Sequence, residues 1–125
     1  TLALPAAIGG LVTGSWDGVF RGLIWGGAIR LLLGFNHTFC VNSLCHLWGG
    51  RMFETPEKSR NNGLVAFLTL GEGWHNNHHA FPSSAQFGMK WWQFDPGWWF
   101  IQTLDRLGLA WDVKVPSQQE KERYN

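Results

Sequence analysis

No cluster of lysine and arginine occurs in this sequence, and its formal net charge is only +1. A nucleic-acid-binding face, which gathers basic residues on one side, is therefore excluded. Cysteine is nearly absent, with Cys40 and Cys45 the only two. Five positions apart in an apolar segment, they fall on different sides of a helix, so they do not meet as a disulfide and read as small buried hydrophobes. Without a cysteine framework or a signal-peptide pattern, nothing points to secretion. The chain starts at Thr1 with no initiating methionine and reads as the C-terminal fragment of something longer. Charged residues are scarce at 15%, and tyrosine occurs once against nine tryptophans. The interior of an ordinary small soluble domain does not call for so many indoles. A membrane–water interface uses them well, because an indole buries an apolar body and keeps a polar N–H wet.

Long apolar runs are what the chain does have. Residues 1–16 (TLALPAAIGGLVTGSW) are uncharged but short of the roughly 20 residues of a full span, and read as a truncated transmembrane helix. Asp17 and Gly18 interrupt the run, and 19–39 forms a second one, long enough to cross a bilayer. Together they predict a transmembrane hairpin. Arg21 lies near an end and can snorkel. Arg30 is nearer the middle, where a charge costs at least a few kcal/mol, so it is expected to face the protein interior or a polar cavity. Glycines 26, 27 and 34 suit close helix contact. The loop between the runs holds no Lys or Arg, whereas Arg51, Lys58 and Arg60 follow the second, the asymmetry of a cytoplasmic far end. A buried hairpin in a soluble helical protein is the alternative.

Residues 40–115 then read as a cytosolic metal-site region. Three of the five histidines lie together at 75, 78 and 79. On a helix, His75, His78 and His79 share one face. Neutral imidazole suits iron, copper, nickel and zinc, and three ligands from a single turn do not easily serve one ion. The cluster therefore points to more than one metal or to a shared site. Asn42 and His46 also share a helix face, and His46 is a candidate fourth ligand. His37 falls on roughly the opposite face and reads as a non-ligand. Glu72, one turn before His75, is either a hydrogen-bond acceptor for a ligating ring or simply solvated. Phe81-Pro82 stops the histidine helix. The apolar piece 63–70 is too short to span and is expected over the site or along the bilayer surface. Asp95-Pro96 starts a helix whose apolar side is Trp98, Ile101 and Leu104. Residues 116–125 read as a charged, mobile tail.

Two segments carry a family resemblance. VNSLCHLWG (41–49) contains an N-S-x-x-H element, and GEGWHNNHHAFP (71–82) contains H-x-x-H-H with a Gly-Glu lead and a Phe-Pro exit. With the preceding hairpin and the later LDRLGLAWD stretch, the sequence resembles the membrane-bound fatty acyl desaturases, in particular the stearoyl-CoA-type Δ9 acyl-CoA desaturases and their bacterial relatives. The resemblance implies an all-α integral membrane fold, a transmembrane hairpin followed by a cytosolic helical cap carrying the histidine-box ligands. It further implies two non-haem iron ions at the cytosolic face, with His46, His75, His78 and His79 as metal ligands and catalytic residues and Asn42 as partner of a metal-bound water. The implied reaction is O2-dependent introduction of a cis double bond, at Δ9, into a saturated acyl thioester such as acyl-CoA, with electrons from ferredoxin or cytochrome b5. The family's first box (H-x-x-x-x-H) and second box (H-x-x-H-H) would precede Thr1, so this fragment alone is expected to be inactive and to hold little iron. Two other readings remain: a histidine-box hydroxylase or ketolase, and a non-catalytic membrane remnant.

Overall fold

A computed structural model describes residues 1–124. Among these residues the regular elements are all helical, and two isolated antiparallel bridges, Gly50–Asn61 and Asn61–Trp74, are the only extended pairings. The chain divides into two compact units, one ending at Phe39 and the other starting at Cys40.

The first unit contains α1 (Ala3–Thr13), α2 (Trp16–Arg21), a π-helical stretch (Gly22–Ile29) and the start of α3 (Arg30–Leu47). The break between the two apolar runs falls at Gly14-Ser15, earlier than the Asp17-Gly18 expected from sequence. Gly14 takes the left-handed conformation that ends α1, with φ 62°, and the Ser15 hydroxyl accepts the Gly18 N–H at 3.1 Å to start α2. Asp17 then sits in the first turn, where a carboxylate suits the positive end of a helix, and accepts from Arg21 Nε at 2.6 Å. α1 packs on α2 and the π stretch backbone to backbone. A Cβ on Gly9 would come within 2.2 Å of Gly18 O, and one on Gly22 within 2.2 Å of Pro5 O. Gly34, expected to serve close contact, meets nothing within 4 Å.

From Trp16 the helical path runs unbroken to Leu47, 32 residues against the 21 of the expected 19–39 span. It is the one helix among the described residues long and apolar enough to cross a membrane. Arg30, expected to face the interior, is exposed, and its Nε donates to Gly26 O one turn back at 2.9 Å. A long side chain that turns along its own helix satisfies a donor without a partner element.

The second unit joins the end of α3 to four short helices, α4 (Gly63–Leu68), α5 (His75–Ala80), α6 (Pro96–Arg106) and α7 (Gln118–Glu122). Val41 and Cys45 of α3 pack with Val65 of α4, and Phe53 packs with Ala80 and Phe81 beside Met52 and Met89. Both cysteines are free thiols, and Cys45 is buried as expected, whereas Cys40, expected to be buried, is exposed on α3. The loop between α3 and α4 is tied down by Arg60 N–H to Cys45 O (2.6 Å) and Asn62 N–H to Gly73 O (2.8 Å). α6 begins where Asp95-Pro96 predicted. One oxygen of the buried Asp95 caps Trp98 N–H at 2.9 Å, and the other accepts the N–H groups of Phe87 (2.8 Å) and Gly88 (2.7 Å). Trp98, Ile101 and Leu104 are only half-buried.

The segment read as a mobile tail instead carries α7, started by a reciprocal Ser117–Glu120 capping box. Tyr124 O accepts the Glu54 N–H at 3.0 Å, and its ring meets Phe81 edge-on at 5.2 Å. The apolar periodicity on which the tail reading relied does not register a capping box. Asn125 lies outside the described residues.

Asp95 serves a helix start and a loop with one buried carboxylate. Asp95→Ala is expected to lower unfolding stability by roughly 3 kcal/mol, the sum of a lost cap and two lost charge-assisted bonds. Thermal or denaturant melts of the detergent-solubilised protein measure this, and a loss below about 0.5 kcal/mol would show the carboxylate to be dispensable.

Candidate metal centre

α5 has six residues, too few to hold itself, and side chains do the holding. Asn61 Oδ1 accepts the first-turn N–H groups of Asn76 (3.0 Å) and Asn77 (3.2 Å), donors that no helical carbonyl could reach. Asn76 is fully buried, with Oδ1 accepting Met52 N–H (2.7 Å) and Phe53 N–H (2.8 Å) while Nδ2 donates to Phe53 O (3.1 Å). Asn77, equally buried, accepts from Asn61 Nδ2 at 2.6 Å and donates to Phe87 O at 2.7 Å. Just upstream, Gly71 has φ 113°, and a Cβ on Gly73 would lie 2.0 Å from Ala66 N. Both positions need glycine, which lets the entry to α5 lie on α4. Trp74 Nε1 donates to Phe94 O at 2.8 Å and fixes the same entry.

These ties hold the imidazoles in place. His46, near the C-terminal end of α3, meets His75 and His79 of α5, and one nitrogen from each lies within 4.8 Å of the others. The Nε2 atoms of His75 and His79 are 3.0 Å apart. His75 is 6% exposed, and His46 is half-buried. His78 stands beside them without joining the group: its ring centroid is 5.6 Å from that of His79 and 4.5 Å from that of Phe87. His37 and Asn42 are exposed on α3, and Glu72 is exposed before α5. Glu57 Oε1 lies 3.6 Å from His79 Nδ1.

Burial, reinforced by crowding, sets the protonation states. Burial, reinforced by the neighbouring His79, His46 and His78 rings and opposed by Glu57, pushes His75 down to about 4. Burial and then His79 lower His78 as well. Burial alone would raise Glu57, but hydrogen bonds from the Thr55 and Ser59 side chains and the Ser59 backbone, with His79 nearby, bring it to about 2. At neutral pH the buried rings are therefore neutral and the carboxylate ionised. Neutral imidazoles are the form that binds metal.

The residues fit a metal ion. Two nitrogens about 3 Å apart match adjacent ligands at ~2.1 Å from a shared ion, and His78 Nδ1 is buried with no hydrogen-bond partner. Such an orphaned atom costs about 1–3 kcal/mol unless it finds a partner, and a metal is one.

Of the four histidines expected as ligands, the structure brings His46, His75 and His79 together. The sequence did not single out Glu57 or Asn61. Asn76 and Asn77 had a legible signal: at helical spacing they fall about 100° and 200° from His75, on the side away from the histidines.

The family profile described as fatty acid desaturase matches residues 1–113. An acyl-CoA C20 Delta5-desaturase of Anemone leveillei is 52% identical over 106 residues, covering 85% of this chain and 34% of that protein. A hex-5-enoyl-[acyl-carrier protein] acetylenase of Moorena producens (strain JHB) is 47% identical over 116 residues, 93% of this chain and 36% of that protein. A chloroplastic palmitoyl-monogalactosyldiacylglycerol delta-7 desaturase of Arabidopsis thaliana is 47% identical over 106 residues, 85% of this chain and 29% of that protein. The chain thus spans about a third of the length of the curated relatives it matches. With the matched profile reaching from Thr1 to Val113 across both histidine segments, the chain belongs to the fatty acid desaturase family.

Proposed function

We propose that the protein carrying this chain is a membrane-embedded acyl desaturase that uses O2 and two histidine-held iron ions. The observation that carries this reading is the convergence of His46, His75 and His79 from two separate helices on one point. His78 is assigned as the fourth imidazole ligand of this chain, and Asn42, one turn before His46, as the residue that orients water at the metal. When bound, the iron pair supplies the oxidising power needed to remove two hydrogens from an unactivated methylene pair.

The chain's own residues position and protect. Imidazole withstands a strong oxidant better than thiolate, and Cys45, next to His46, is buried with its thiol directed to Gly73 O at 3.7 Å. The buried amides of Asn76 and Asn77 would hold α5 in place beneath the metals. Burial of His75 keeps water from one side of the centre.

The proposed placement is a hairpin of α1 and the 16–47 helix in the bilayer, with His46 near the far end of that helix. Arg51, Lys58 and Arg60 follow it, which favours a cytosolic metal face. A cis Δ9 bond in a saturated acyl-CoA is the first product to test. The relatives named for Delta5 and delta-7 positions, and for acyl-carrier-protein and galactolipid substrates, extend the set to other positions and carriers. Electrons are assigned to ferredoxin or cytochrome b5.

Gas chromatography–mass spectrometry of lipids from a host lacking its own desaturase, expressing the full-length protein, is expected to reveal a new monounsaturated chain. A hydroxylated chain would place the protein with the oxygen-inserting enzymes, and no new product at all would remove the desaturase reading. In the same host, His46→Ala, His75→Ala, His78→Ala and His79→Ala should each lower product by more than about 100-fold, beyond what loss of a supporting contact costs, and should lower iron content. His37→Ala should change neither. An equal loss at His37 would show that the ligand assignment is wrong.

A further inference from the structure

Glu57 approaches the histidine group from outside. Glu57 Oε1 lies 3.6 Å from His79 Nδ1, while the other nitrogen of that ring, Nε2, lies 3.0 Å from His75 Nε2. The ring therefore turns one edge to the ligand group and the opposite edge to Glu57. Glu57 is itself held. Its carboxylate accepts the Ser59 N–H and, at 2.8 Å, the Ser59 hydroxyl, and Thr55 Oγ1 donates to its backbone carbonyl at 3.3 Å. Ser59 is fully buried, and Asn76 Nδ2 reaches Ser59 Oγ (3.4 Å) and Thr55 Oγ1 (3.3 Å). The loop that carries Glu57 is thus fastened to the amide next to His75.

We propose that Glu57 is a positioning residue of the metal centre: it accepts the Nδ1 proton of His79 and so leaves the Nε2 lone pair for the metal. The inference rests on the metal centre proposed above. A ring nitrogen can give its lone pair to a metal only when the proton sits on the other nitrogen, and a carboxylate at Nδ1 fixes that tautomer, sets the ring plane and makes Nε2 a stronger donor. The 3.6 Å separation is too long for a hydrogen bond, and a closure of about 0.6 Å brings the pair into range. A glutamate side chain that is 33% exposed has room for it.

The test uses the full-length protein purified in detergent, comparing wild type with Glu57→Gln and Glu57→Asp. Gln keeps the length and can still accept from Ser59, but it loses the charge. Iron affinity by chelator competition, Mössbauer spectra of the iron-loaded protein and the melting temperature of the metal-stripped protein are measured. Glu57→Gln is expected to weaken iron binding by about 10–100-fold and to shift the signal of one iron site, with the metal-free melt unchanged. Glu57→Asp, which keeps the charge, is expected to recover part of both. Wild-type affinity and spectrum in Glu57→Gln would overturn the inference, as would a loss that only follows a lower metal-free melting temperature. A wild-type protein that holds no iron would overturn the metal centre itself and this inference with it, which separates the two failures.

Discussion

The second unit depends on satisfying the backbone of a helix too short to satisfy itself. α5 is six residues long, so its first N–H groups have no helical acceptors, and burial denies them water. Asn61 supplies one acceptor for two of them, and Asn76 and Asn77 use their own amides to tie the helix to residues 52–53 and 87. A buried amide left without partners costs more than the bond it makes is worth, so these contacts are specified rather than optional. The histidines inherit that precision. In H-N-N-H-H one side of the turn is addressed to the protein and the other to the histidine group.

The same constraint explains how a ligand from a distant helix joins the group. His46 comes to α5 because the loop after α3 returns along it: Arg60 N–H meets Cys45 O, Asn61 pairs with Gly50 and then with Trp74, and Asn62 meets Gly73. Val65 packs on Val41 and Cys45 at the same level. Burial, and after it the charge of the neighbouring His79, His46 and His78 rings, pushes His75 down to about 4. Crowding that would be a liability for a charged cluster is suitable for metal ligands, since each ring must be neutral to bind.

How much of this was legible in the sequence follows from the range of each interaction. Local chemistry read well: Asp95-Pro96 starts α6 as expected, and the cysteines stay unpaired. The grouping of histidines was legible because helical spacing put His75 and His79 on one face and the N-S-x-x-H element marked His46. The break at Gly14-Ser15 was misplaced because a charge at Asp17 looked like an interruption, whereas a carboxylate in a first turn strengthens a helix. Arg30 was expected inside because a mid-span charge usually seeks a partner, and it found a carbonyl of its own helix instead. Glu57 was out of reach of any sequence pattern. Its contact with His79 joins a loop to a helix through a fold that spacing does not encode.

The turn before His75 fits α5 onto α4 through Gly71 and Gly73. Glu57 sits on a loop that Ser59, Thr55 and Asn76 already hold, so its carboxylate is placed by the bonds that place the helix. The amide side and the histidine side of α5 are therefore mechanically connected. Moving Asn76 would loosen Thr55 and Ser59, and through them the carboxylate that faces His79.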